Sequence, residues 1–482
     1  MRIHRLTAML CAVSLLVSTV LTGCGSSASA TGKTLRLPLY GRIPSLDPAV
    51  AAGQSSRFMA SLLFSCLVKL SPDLHVIPEL AVSLPTISSD ARSYTFTVRQ
   101  DARFEDGRSV TAQDVAFSLS RALWPSVRSR VAGNSLSGIQ GAGAVQRGKS
   151  RSLVGIHIIN RLSLRIRLAA PDASFLYKLA QPAASIVERA RIDRFIHGNW
   201  GSPSPGTGAW KLLRKDADGS VELVPRRHFY GGGLGLDGLL LIPVSSRDKG
   251  IQLYNRGLLD AARVPTSAYS RLSSRSDFVE SAALDGYYAI PSRPGESSLA
   301  ANLQRDTLTQ SLPVFSPMDQ IVPPAVPDYL ASPPSPASMT GYGTTPPAVT
   351  LQESPKDWAT LALAHALGQQ WHVVAHGGEK VQIVHITYAL PDPSAALDWA
   401  QRLTNNRWYR SQLVEGSSLS DDPVSRMGVY SNAEAWALDQ AIVIPLANGS
   451  VSYLMRSSVS GLDVTAVGLM PDENSWPAVS VT

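Results

Sequence analysis

Asp106 and Asp114 stand close together in FEDGRSVTAQDVAFSLSRALW (Phe104–Trp124) and invite an acid–base reading, because two carboxylates in one site can divide the roles of proton donor and acceptor. Local physics gives both a structural task. Asp106-Gly107 is a turn pair, the aspartate bonding its own backbone and the glycine accepting positive φ. Thr111 is placed as an N-cap with Asp114 three residues on, a T-x-x-D capping box, and Val110 and Val115 fit the hydrophobic staple around it. The helix that follows should bury Val115, Ala116, Leu119, Ala122 and Leu123 on one face and stop at Pro125. Four of the nine histidines fall between His365 and His385. His372 and His376 would share a face only on a helix, and the Gly-Gly that follows argues for a turn, so no metal site is expected. G-x-S-x-G, H-E-x-x-H and a well-placed S-x-x-K are missing. PGTGAW (Pro205–Trp210) is glycine-rich, but a strand follows it, so it offers no helix N-terminus to phosphate. No enzymatic activity and no cofactor are expected.

The elements around these residues alternate between two periodicities. TLRLPLY (Thr34–Tyr40) and SYTFTVRQ (Ser93–Gln100) read as strands, and SSRFMASLLFSCLVKL (Ser55–Leu70) as one buried helix. Ser152–Leu168 and Ala209–Arg226 read as hairpins, the second turning at Asp218-Gly219. Ile321–Pro347 is crowded with proline and serine and reads as a surface excursion. Beyond it come a helix over Asp357–Trp371, a strand over Lys380–Leu390, and helix then strand over Ala433–Met455. The class is α/β with mixed sheets in at least two lobes.

The N-terminus addresses the compartment. Arg2 and Arg5 precede an apolar stretch, Leu6–Leu21, and LTGC (Leu21–Cys24) ends it with small residues before a cysteine. That ending resembles the bacterial lipobox, which implies a signal peptide over 1–23, a lipid on Cys24 and a tether over 24–33. Cleavage would leave Cys66 as the one remaining thiol, so neither a disulfide framework nor a cysteine metal site is expected. The formal net charge of +7 would fall by two with Arg2 and Arg5, too mild for a nucleic-acid partner.

The same segment that raised the acid–base question resembles the F-x-D-G-x-P-V-T-A-x-D-V-x-F-S-x-x-R run of extracytoplasmic solute-binding proteins serving peptide and nickel ABC importers, the oligopeptide- and dipeptide-binding family. SLDPA (Ser45–Ala49), PGTGAWKL (Pro205–Leu212), YNRGLLDAARVP (Tyr254–Pro265), LPDP (Leu390–Pro393) and VIPL (Val443–Leu446) follow in the family's order. The resemblance implies a two-lobed periplasmic-binding-protein-like fold. Lobe I would comprise 34–57, 161–265 and 442–482 with an extra subdomain over 58–160, lobe II would span 266–441, and the hinge would lie near Pro265 and Ile442. It implies a lipid-anchored binding component, on the outer side of the membrane, that captures a peptide or other small solute. The partners would be the ABC permease and ATPase complex, with membrane contact through the lipid alone and a monomeric protein. The alternative on the same scaffold is a non-transport receptor or chaperone-like lipoprotein.

By the same resemblance, peptide ligands meet the loop after L-D-P, here Ala52, Gly53 and Gln54, and the strand before D-P, here His385, Ile386 and Thr387, with Tyr388 and Ala389 continuing that strand. Relatives commonly write W-x-x-D-x-x-D/E-P there, the first acid pairing with the ligand's α-amine. Aligned on Asp392-Pro393, this chain has Ile386 for the tryptophan and Ala389 for the acid.

Overall fold

The computed structural model describes residues 33–192, 206–293, 299, 303, 305–310, 312–327, 348–351, 358–374, 376–419, 422–471 and 476–482. The expected leader and Cys24 lie outside them. No helix among the described residues is long and apolar enough to cross a membrane.

Thr34–Tyr40 does form a strand, and it pairs in parallel with Gly238–Val244, register Thr34↔Gly238 through Tyr40↔Val244. The Trp210–Lys215 and Val221–Pro225 hairpin completes this four-stranded sheet, with Gly219 at φ +89° in its turn, a conformation glycine takes without a Cβ clash. Leu35, Leu37, Trp210, Leu212, Leu223 and Leu239 fill its core. Two features of the sequence motifs lock this region. The Asp260 carboxylate accepts from Arg36 N at 2.7 Å, Nε at 3.1 Å and Nη2 at 2.5 Å. Asp47, of SLDPA, takes both terminal nitrogens of Arg121, of the FSLSRAL run, in an ion pair with both partners almost fully buried.

A second four-stranded sheet, Thr86–Ile87, Ser93–Thr97, Ser163–Arg167 and Ile156–Ile158, carries helix Ala112–Ala122. Tyr94, Phe96, Leu164 and Ile166 from the sheet meet Val115 and Leu119 from the helix. The capping box is present, with Thr111 N donating to Asp114 Oδ2 at 3.0 Å and Asp114 N donating back to Thr111 Oγ1 at 3.4 Å. Asp106 accepts from Arg108 N at 3.0 Å within its own turn.

Two more sheets meet end to end. Ala261–Arg263, Ser450–Met455 and Phe278–Ala282 form a three-stranded sheet with Ser450–Met455 in the middle. A six-stranded sheet runs Ser316–Pro317, Ile444–Asn448, Asp285–Pro291, Glu379–Thr387, Ala348–Leu351, His372–Val373. Leu363 and Leu367 of helix Trp358–Gln370 cover one face, with Val381 and Ile383. Helices Pro393–Gln401, Arg407–Ser418 and Pro423–Asp439 cover the other. The chain passes between these sheets at Ala283–Leu284 and again at Gly449.

Three readings change. The helix expected over Ser55–Leu70 stops at Leu63, Phe64 is extended, and Val68–Leu70 is a strand. The cause is a contact distant in sequence: Gly208 N donates to Leu63 O at 2.9 Å and Ser65 N donates to Thr207 Oγ1 at 3.0 Å, satisfying groups the helix end would leave open. The helix expected to begin at Ala433 begins at Pro423, capped by Asp422, whose carboxylate accepts from Ser425 N at 3.1 Å. The proline-rich stretch begins inside the protein, because Ile321 and Val322 are fully buried and both donate backbone N–H to Glu434 Oε1. Residues 328–347 lie outside the described residues.

Candidate ligand-binding site

The two passages between sheets lie side by side and are bolted together. Ala283 N donates to Gly449 O at 2.9 Å, and Asn448 Nδ2 donates to Ala283 O at 3.0 Å and Asp285 O at 2.6 Å. Gly449 N donates to Asp285 Oδ1 at 3.0 Å. A Cβ on Gly449 would stand 3.1 Å from that oxygen, so glycine permits the close approach. The other carboxylate oxygen of Asp285 meets His385 Nε2 at 2.9 Å, and the imidazole stacks on Tyr287 with centroids 4.3 Å apart and planes 4° from parallel. His385, expected from the resemblance, therefore stands at the crossing. Asp285, Asn448 and Gly449 were not singled out from sequence, although Asn-Gly in ANGS is a turn signal that could have drawn notice.

Strand Glu379–Thr387 runs antiparallel to Asp285–Pro291, with Gly286 opposite Ile386 and Asp285 opposite Thr387. Tyr388 N donates to Leu284 O at 2.9 Å. Since backbone groups alternate direction along a strand, Ile386 and Val384 pair inward while the N–H and C=O of His385 and Thr387 point to the opposite edge. The neighbouring strand on that edge pairs only with Glu379–Val381, so among the described residues no strand occupies the edge at His385 and Thr387. Ala389 and Thr387 are exposed, while Ile386 packs against the helical layer. Tyr388 turns inward, its hydroxyl donating to Tyr288 Oη at 2.9 Å, and Tyr288 donates to Ile321 O at 2.6 Å. Asp392 is buried and caps helix Pro393–Gln401, accepting from Ser394 N at 2.9 Å.

Ala52, Gly53 and Gln54 are exposed at the start of helix Gln54–Leu63. Gln54 Oε1 accepts from Arg263 Nη1 at 3.4 Å, which ties the loop to the three-stranded sheet and through it to the crossing. No hydrogen bond among the described residues joins 52–54 directly to 385–389. Of the other histidines in the cluster, His365, His372 and His376 are exposed, and no group of three or more His, Cys, Asp or Glu among the described residues could hold a metal ion.

The acid that approaches Asp106 is not Asp114 but Glu188, which is buried and flanked by Arg108 Nε at 3.4 Å and Arg191 Nε at 3.4 Å. Burial first, and then the charge of Asp106, push Glu188 from 4.5 up to about 7. A folded-state value above the unfolded one contributes stability that is fully present below the unfolded value and lost as pH rises through the folded one. Between about pH 4.5 and 7 the wild type should therefore lose melting temperature that Glu188→Gln keeps. Parallel melting curves for the two proteins over that range would contradict the assignment.

A cavity of about 770 Å³ opens where the extra four-stranded layer meets the 210–225 hairpin, lined by Arg103, Phe104, Glu105, Lys211, Arg226 and His228 among others. Its lining includes none of 52–54 or 385–389.

Comparison with known proteins converges on one group. Residues 75–308 match the model for bacterial extracellular solute-binding proteins, family 5 middle region. The chain is 29% identical to the periplasmic murein peptide-binding protein MppA of Escherichia coli (strain K12) over 234 residues, 47% of this chain and 43% of that protein. It is 28% identical to the periplasmic oligopeptide-binding protein OppA of the same strain over 239 residues, 48% of this chain and 43% of OppA. These alignments thus span less than half the length of either relative. The unliganded open form of MppA superposes with a TM-score of 0.80 at 21% identity, covering 94% of this chain and 98% of that structure. A structure of the pheromone receptor PrgZ superposes with a TM-score of 0.64 at 17% identity. Over residues 75–308 the chain is similar to the bacterial extracellular solute-binding proteins of family 5, and the described residues as a whole carry the two-lobed fold of the periplasmic peptide-binding proteins.

Proposed function

We propose that this protein is the substrate-binding component of a peptide ABC importer, anchored outside the cytoplasmic membrane by lipid on Cys24, and that it hands a captured peptide to the permease. The observation that carries the reading is the edge at His385 and Thr387, which no strand among the described residues occupies, beside the paired crossings. An extended ligand laid there gains main-chain hydrogen bonds whatever its side chains, the strand-addition mode of peptide recognition. Ala52, Gly53 and Gln54 would supply the opposing contacts. Side chains of Tyr388 and Asp392 would act behind the site, holding the strand and the helix after it.

In this reading lobe II begins after Ala283 and ends before Gly449, and the two crossings form the hinge. Neither Pro265 nor Ile442 lies at a passage between sheets. Two short adjacent connections can absorb a closure while the packed cores on either side move as bodies. The ligand would favour the closed form by its differential affinity for it.

Native mass spectrometry of residues 25–482, purified gently and offered a pool of unmodified peptides of two to five residues, tests the reading. Capture of discrete peptide masses that disappear on denaturation is the expected result. A bound solute of another class, or no adduct and no thermal shift with any peptide, would remove the peptide assignment and favour the receptor alternative.

A further inference from the structure

The lobe I side of the proposed cleft carries positive charge that no ion pair among the described residues offsets. Arg263 ends the strand Ala261–Arg263 opposite Tyr453, and its backbone N–H donates to the Tyr40 hydroxyl at 3.0 Å. Its half-buried side chain reaches the ligand loop, where Nη1 touches Gln54 Oε1 at 3.4 Å. That contact is long and uses one of five guanidinium donors. Arg247 is a neighbour, for desolvation and next the charge of Arg263 lower its pKa, while the Tyr40 side chain lies close to both. Neither arginine forms an ion pair among the described residues. Three carboxylates of the neighbouring elements are otherwise engaged, and Asp248, next to Arg247 in sequence, pairs with neither arginine among the described residues. Asp260 is held by Arg36, Glu280 accepts from the Tyr269 hydroxyl at 2.9 Å, and Asp285 faces His385 and Gly449. The first turn of helix Gln54–Leu63 holds no acid.

Two like charges brought together at the edge of a cleft, with no counter-charge paired to them among the described residues, repel one another until an anion arrives. Across the cleft the exposed Ala389 offers no charge at all. Building on the peptide-binding reading, we propose that the ligand is recognised through a carboxylate, which Arg263 takes in a forked hydrogen bond beside Gln54 with Arg247 adding longer-range attraction. Arginine suits this because its planar fork matches a carboxylate in two parallel bonds, whereas lysine meets it as a point charge. The site would therefore select peptides by an acid they carry, at the C-terminus or on a side chain, and would place little weight on a free amine.

Isothermal titration of the intact soluble chain with matched tripeptides tests this. The set is a neutral tripeptide as free acid, its C-terminal amide, the N-acetylated free acid, and the amide carrying an internal aspartate, with succinate as a non-peptide dicarboxylate. The expected result is free acid at least about tenfold tighter than amide, little loss on N-acetylation, and collapse of the acid–amide gap in Arg263→Gln. Arg263→Lys should restore part of the gap, and Arg247→Gln should weaken acid binding less. Recovery by the internal aspartate would assign the carboxylate to a side chain, and failure to recover would assign it to the C-terminus. Either outcome supports the inference. Equal binding of acid and amide, or a gap that survives Arg263→Gln in a variant with wild-type melting, overturns it while peptide binding stands. Acid-dependent binding of succinate with no peptide bound overturns the peptide reading and keeps the arginine site. No binding of any probe overturns both.

Discussion

Replacing Arg121 with methionine is expected to destabilise the protein by about 3–5 kcal/mol, the usual result of stranding one member of a buried ion pair. Both side chains are nearly inaccessible, and the guanidinium meets Asp47 through both terminal nitrogens, Nη1 to Oδ1 at 3.0 Å. Removing the cation leaves the carboxylate with the Ala49 N–H at 3.1 Å, too little to replace solvation. The pair joins the chain just after the first strand to the helix of the extra layer, so its loss should loosen the contact between two cores. The double variant Asp47→Leu with Arg121→Met removes both charges and should recover most of the loss. Urea denaturation of the three variants checks this. A single Arg121→Met protein with the wild-type midpoint would show that the pair contributes no net stability.

Gly208→Ala should rank next, at about 3 kcal/mol, the upper end of what overpacking costs. A Cβ on Gly208 would fall 2.3 Å from Leu62 O, and one on Gly206 would fall 2.0 Å from Leu63 O. The obstacle in both cases is backbone, which cannot rotate aside. The turn would have to withdraw, breaking the Gly208 N to Leu63 O bond that ends helix Gln54–Leu63. Thermal unfolding should shift down, and amide exchange should accelerate around Leu62–Phe64. Gly53→Ala is the control, since nothing lies within 4 Å of a Cβ there. Equal melting temperatures for Gly208→Ala and Gly53→Ala would refute the steric account.

The difference between those glycines shows what could be read in the sequence and what could not. The capping box at Thr111, the hairpin turn at Asp218-Gly219 and the strand Thr34–Tyr40 are written in residues close together, and each appears where its pattern places it. The end of helix Gln54–Leu63 is written at Thr207 and Gly208, too far along the chain for periodicity to register. An unbroken apolar run such as SLLFSCLVKL fits helix and strand alike, and a distant partner decided between them. The candidate site divides the same way. His385 was reached through a resemblance of motif, but its role at the crossing depends on Asp285 and Asn448, whose significance lies only in pairing across long separations. Arg263 belonged to a motif yet carried no sign of its proximity to Gln54 until the sheet brought them together.

The central place of Ser450–Met455 in the three-stranded sheet bears on how the chain is made. Its neighbours, Ala261–Arg263 and Phe278–Ala282, do not pair with each other and each take their partner from that one late strand. A growing or threading chain therefore carries two unpaired edges through the synthesis of the whole intervening body. Such edges are templates for wrong pairing, and contacts of long sequence separation form slowly because loop closure must come first. That sheet, begun by two early strands, is thus finished only when the late strand arrives between them.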